Sequence, residues 1–117
     1  QITENELEEE EVDEIFVIVE DTPTPIGGLG AFYDYVNANI RYPNMALNMK
    51  IEGKVFVQFV VDKSGNLTNI EVIRGIGGGC DEEAVRIIEN APQWNPGKQR
   101  GKAVKVKMVL PLSFKIL

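Results

Sequence analysis

Histidine is absent from this chain of 117 residues, cysteine occurs once, as Cys80, and tryptophan once, as Trp94. A single cysteine cannot close an internal disulfide, and without histidine a zinc site would have to be assembled from carboxylates alone. No metal or other cofactor is expected, and the redox compartment stays open on this count. No apolar run approaches the roughly eighteen residues that a membrane-spanning helix needs, and no basic start leads into a hydrophobic stretch as in a signal peptide. Gln1 is not a translation start, so the chain reads as a processed protein or a piece of a longer one whose anchor or targeting signal would lie upstream.

Basic residues are missing from the first 21 positions, which hold ten acids. The remaining eight acids face all twelve bases in residues 22–117, so a net charge of −6 divides into a strongly acidic arm and a body near +4. A block such as ENELEEEEVDE repels itself and resists compaction. Residues 1–21 therefore read as a solvated linker that carries a short strand from residue 14, and residues 22–117 as one domain with enough apolar content, 44% of the chain, for a modest core. Docking of the acidic arm on the basic body is the second reading of that charge division.

Within the body the periodicities are clear. EIFVIVE, residues 14–20, is a β-branched and aromatic run closed by the breakers of DTPTPIGG. Leu29, Phe32, Tyr33, Val36 and Ile40 share one face of a helix over about 29–40, which must stop near Pro43. A short helical turn can follow in NMALNMK. Val55, Val57, Phe59 and Val61 alternate, a turn follows at Ser64, Gly65 and Asn66, and a second alternating run spans Leu67 to Arg74, which makes a hairpin. A second helix covers about 81–90, with Asp81 as N-cap, Glu82 and Glu83 at the positive end of the dipole, and Pro92 beyond its end. From Val104 to Ile116 the apolar residues recur every second position, with Lys105, Lys107, Val109, Pro111, Ser113 and Lys115 on the opposite face. Pro111 places this long strand at a sheet edge or gives it a bulge. The predicted fold is α+β: two helices on one face of a three-stranded antiparallel sheet, to which the short N-terminal strand can add.

Chemistry finds little support. GGLG and GIGGGC lack the Lys-Ser/Thr ending of a phosphate loop and the full dinucleotide spacing. Asp81, Glu82, Glu83 and Glu89 point in different directions from one helix and make no cage; Cys80 has no histidine to activate it, and Ser64 and Ser113 are equally unsupported as nucleophiles. Lys98, Arg100, Lys102, Lys105 and Lys107 cluster near Trp94, but the patch is small, lacks an exposed stacking row and sits in a chain of pI about 4.7. Neither an enzyme nor a nucleic-acid binder is expected, and Trp94 is assigned to the core.

RYPNMA, then IEGKVFVQFVVDKSGNLTNIEVIRG, then a helix, then APQWNPGKQRGKAVKVKMVLPLSF resembles, in this order and over about residues 25–117, the C-terminal domain of the TonB family. Tyr42-Pro43 with Ala46, Gly53 at a strand start, the turn from Asp62 to Gly65, Trp94 with Pro96 and Gly97, and Phe114 in the last strand match its landmarks. The leading EIFVIVEDTPTPIGG is similar to the form found in TonB proteins of Bacteroidetes, which usually carry a more acidic and aromatic version. The resemblance implies a periplasmic, non-enzymatic adaptor of Gram-negative bacteria. Its full-length form would be anchored in the inner membrane by one N-terminal helix and energised by the ExbB and ExbD motor. It would bind the TonB box of outer-membrane TonB-dependent transporters and pass force to their plug.

An edge strand supplies the physics for that task, because its unpaired N–H and C=O groups can accept an extended peptide as a further strand. The expected ladder comprises Lys102, Ala103, Val104, Lys105, Val106, Lys107, Met108 and Val109, with Arg41, Tyr42 and Pro43 as a lateral contact carried over from the family's Tyr-Pro region. At about 0.5–1.5 kcal/mol net per hydrogen bond, such a ladder gives weak, reversible capture after ordering costs. A monomer or weak dimer is expected. The same module appended to another membrane protein, a sensor or peptidase, is the alternative, and a small enzyme with an unrecognised site the remote one.

Overall fold

The computed structural model describes residues 14–117. Most of the acidic block of the arm thus lies outside the described residues. Ten elements follow in chain order: β1 (Ile15–Phe16), β2 (Thr24–Pro25), α1 (Gly28–Asn39), α2 (Asn44–Asn48), β3 (Gly53–Val61), β4 (Leu67–Arg74), α3 (Cys80–Glu89), β5 (Trp94–Asn95), β6 (Gly97–Gln99) and β7 (Lys102–Phe114).

β7 and β3 form the spine, antiparallel and paired without a shift from Gly53↔Phe114 to Val61↔Val106. The alternation read in the sequence decides which way they face. Val55, Val57, Phe59 and Val61 of β3 and Val106, Leu112 and Phe114 of β7 are buried, while Lys54, Lys107, Val109 and Ser113 are exposed. Onto the buried face pack Phe32 and Val36 of α1 and Ala84, Ile87 and Ile88 of α3. Trp94 closes the core at one end, edge-on to Phe32 and to Phe59 with ring centroids 5.4 Å apart in each case. Each of these fully buried large side chains contributes about 1.5–3 kcal/mol of transfer free energy.

The β3–β4 hairpin turns through Asp62 to Asn66. The Asp62 carboxylate accepts the Ser64 and Asn66 amides at 2.9 Å each, and Gly65 takes φ +86°. A Cβ on Gly65 would stand 1.8 Å from the Trp94 carbonyl oxygen, so this turn fits against the Trp94 backbone only as glycine.

Three sequence expectations are corrected. The sheet is not a three-stranded antiparallel one: it has five strands and is mixed, in the order β1-β7-β3-β4 with β6 also on β7, and β1 runs parallel to β7. A separate pair, β2 with β5, ties the proline-rich breaker segment to the Trp94 turn. Among the described residues three helices rather than two are present, the short turn after Pro43 being α2. Asp81 does not cap α3: Gly79 holds the N-cap position in the left-handed region, and the Asp81 carboxylate reaches back to accept the amides of Ile76 (2.9 Å) and Gly77 (3.2 Å). The glycine-rich loop is therefore folded around a side chain of its own helix, which satisfies amides that would otherwise be orphaned.

Candidate peptide-binding edge

The residues expected to form a ladder all lie on β7, but they do not share one environment. Lys102, Ala103 and Val104 are paired with Gln99, Lys98 and Gly97 of β6 through a two-residue turn at Arg100 and Gly101, with φ of 51° and 75°. Two successive left-handed residues are what a tight hairpin between twisted strands needs. Lys105 and Val106 are paired with Ile15 and Phe16 of β1. Val106 pairs with Val61 as well, so β1 and β3 flank β7 on opposite sides. From Lys107 onward, the flank of β7 opposite β3 has no strand partner among the described residues.

Pro111 shows which backbone groups point into that open flank. It stands opposite Phe56 in the ladder, has no N–H, and gives its carbonyl to the Tyr33 hydroxyl at 3.2 Å. Position 111 thus turns its main-chain groups away from β3. In an antiparallel pair these groups alternate sides residue by residue, so Lys107 and Val109 also present N–H and C=O outward. The exposed window is bounded by β1 at Val106 and by the Tyr33–Pro111 contact at its far end. Tyr33 is not among the site residues that the sequence suggests; its signal there is only its place on the apolar face of α1.

The proposed lateral residues lie elsewhere and carry structural work. The Arg41 amide donates to the Glu83 carboxylate at 2.5 Å. The Tyr42 hydroxyl donates to the Ile51 carbonyl, and its ring meets Phe114 edge-on at 5.7 Å. The Pro43 carbonyl accepts the Leu47 amide at 3.0 Å, opening α2. Tyr42 and Pro43 are half-buried, and Arg41 is exposed. Tyr42 touches the C-terminal end of β7 at Phe114, five residues beyond the expected Lys102–Val109 ladder.

Electrostatics elsewhere point to structure rather than chemistry. Arg86 grips Glu83 with two hydrogen bonds, 2.7 and 2.8 Å, and donates a third to the Asn39 carbonyl at 2.9 Å, which fastens α3 to the end of α1. The Arg86 bonds hold the Glu83 carboxyl below the usual glutamate range, opposed by partial burial and helped by the Arg41 amide. Burial pushes the Cys80 thiol up, and the neighbouring first-turn carboxylates add to this, so it is a poor nucleophile. Among the described residues no three His, Cys, Asp or Glu side chains are grouped to hold a metal ion.

With that geometry in view, the comparisons with known proteins are specific. The family model of the Gram-negative bacterial TonB protein C-terminal matches residues 38–116. The chain belongs to this family. Two solution structures of the TonB C-terminal domain of Helicobacter pylori share its fold, each at 24% identity. One has a TM-score of 0.60 over 76% of this chain and 80% of that one, the other 0.57 over 74% and 91%. No curated protein matches the chain in sequence. The domain is therefore of the TonB type, an α+β module with three helices and a curled mixed sheet.

Proposed function

We propose that the domain captures the TonB box of outer-membrane TonB-dependent transporters by strand addition at the outer flank of β7, on the periplasmic side of the inner membrane. It would pass on force from an ExbB and ExbD motor coupled through a membrane anchor upstream. The observation that carries this reading is the outer flank of Lys107 and Val109: two outward-facing backbone positions on a strand whose opposite flank is locked to β3 over nine residue pairs. A partner zipped to such a strand is joined through β7 to the centre of the sheet. Force along the strand then loads the hydrogen bonds in shear, together rather than one after another.

Recognition by main-chain bonds tolerates varied peptide sequences, which suits a domain that serves several transporters. Lys107, exposed on this strand, adds a positive charge that favours acidic segments. The test is an NMR titration of the domain with synthetic TonB-box peptides. Amide shifts centred on Lys105–Val109 are expected; shifts confined to α1 and α3, or none with any such peptide, would overturn the proposal.

A further inference from the structure

The open flank of β7 is shortened by the chain itself, and the manner of that contact is unusual for a structural strand. β1 is two residues long and parallel to β7. Its neighbours Val17 and Ile18 are 70% and 88% exposed, and no residue of 14–22 belongs to the core or to the hydrophobic side chains packed against it. Detaching it would leave the core untouched.

Immediately downstream the chain is pinned. Asp21 and Lys98 exchange two backbone hydrogen bonds, 3.1 and 2.9 Å. The Glu20 carboxylate accepts the Arg100 amide at 3.1 Å, and the Glu20 amide donates to the Gln99 side chain at 3.0 Å. Pro23 is buried, close enough to Gly97 that a Cβ there would stand 3.0 Å from its ring. Residues 14–19 thus form a strap with a fixed hinge at Glu20–Asp21 and a free-standing pair of residues beyond it.

We propose that this strap is an internal competitor for the peptide edge: β1 lies along the outer flank of β7 beside Lys105 and Val106, and must lift before an outside strand can extend along β7 from Lys105 to Val109. The inference rests on the peptide-capture reading above. Three features favour a displaceable occupant over a permanent strand. The pairing is short, so it is worth only a few hydrogen bonds that water can replace. The side chains of the strap gain little burial. The arm is acidic and the segment it covers is basic, with ten acids in residues 1–21 against Lys98, Arg100, Lys102, Lys105 and Lys107, so the same charge preference would draw in either the arm or an acidic peptide. A closed strap lowers apparent peptide affinity by the fraction of molecules that are open, and a strap closed nine-tenths of the time costs about tenfold.

The experiment locks and unlocks the strap in one protein. Ile15→Cys with Lys105→Cys, in a Cys80→Ala background, places thiols on directly paired residues, whose Cα separation in a sheet falls within disulfide range. Binding of a TonB-box peptide is followed by NMR and calorimetry in the oxidised and reduced forms, with Trp94 fluorescence as the check that the fold is retained. The expected result is binding at least about tenfold weaker when oxidised and restored on reduction. Phe16→Pro, which cannot pair normally but leaves the core intact, is expected to bind the peptide about tenfold more tightly than the unmodified chain. Equal affinity in the oxidised and reduced forms would overturn the strap while leaving peptide capture in place. Absence of binding by the reduced, Phe16→Pro and unmodified forms alike would overturn peptide capture, and the strap with it.

Discussion

β4 ends the sheet on one side with two breaks in its register to β3, at Phe56/Val57 and between Gln58 and Val60, and with Asn69 in the left-handed region at φ 50°. β7, near the other side, keeps nine consecutive pairs with β3 and no shift. Bulges twist a strand and scatter its outward hydrogen-bonding groups, which is how proteins discourage a foreign strand from pairing there. An unbroken strand keeps them in line. Within one sheet, then, one margin is irregular and exposes Asn69, Glu71 and Arg74, whereas the other is regular and guarded, among the described residues, by the two-residue β1 of the strap and a tyrosine on Pro111. If β7 is the receptive edge, as proposed, the difference teaches that edge protection is applied where pairing is unwanted and made removable where it is wanted.

The comparison breaks most completely if the hairpin that carries β4 cannot close. Gly65→Ala would force a Cβ into the Trp94 carbonyl at a backbone angle that alanine resists. A loss of about 3 kcal/mol or more in denaturant-measured stability is expected. A loss below about 1 kcal/mol would mean that the turn relaxes away from Trp94 and that β4 is less firmly set than its contacts indicate.

The next largest effect separates the margins directly. Val109→Pro removes an outward N–H without touching the ladder to β3, and is expected to weaken peptide binding about tenfold or more while changing stability little. Glu71→Lys on β4 is expected to leave the same titration unaltered. Should the β4 variant alter binding and the β7 variant not, the assignment of the receptive edge is reversed.

How far this was legible beforehand follows the range of the signals. Helix α1 over 28–39 against an expected 29–40, α3 over 80–89 against 81–90, and the β3–β4 hairpin all follow from local periodicity and turn residues, and so did β7, whose alternation runs its whole length. What escaped depends on partners far apart in the chain. Ile15 meets Lys105 across ninety positions through a two-residue contact that leaves no period to read, and the β2–β5 pair is equally brief. Asp81 looked like a cap because residue type and position fit; three glycines before it offered a loop that its carboxylate could fold instead. Residues 102–109 lie on one strand, as their alternation implies, but their division among β6, β1 and open flank is a property of tertiary packing.

A smaller effect separates stability from edge chemistry by pH. Glu83 titrates below the usual range in the folded domain because Arg86 holds its charged form, so its contribution is fully present above the unfolded-state value and is lost as pH falls through the lower, folded one. Glu83→Gln is expected to cost about 1 kcal/mol of stability at neutral pH, a loss that shrinks as both proteins are taken below the ordinary glutamate range. Peptide affinity at the β7 edge, made by main-chain groups, should be unchanged by this substitution at neutral pH. A matching loss of affinity would show that the tie between α1 and α3 sets the edge through Tyr33, which α1 carries to Pro111.

The smallest effect concerns Lys107, which is exposed beside the open window and whose charge lies within reach of an added strand. An exposed pair in high dielectric is worth only about 0.2–1 kcal/mol, so Lys107→Ala should weaken binding of an acidic TonB-box peptide roughly twofold at low ionic strength. At several hundred millimolar salt the two proteins should bind alike, because screening removes the charge term and leaves the backbone ladder. Loss that persists at high salt would assign Lys107 a packing role through its methylene stem, and would make this margin selective by side-chain contact as well as by regular backbone pairing.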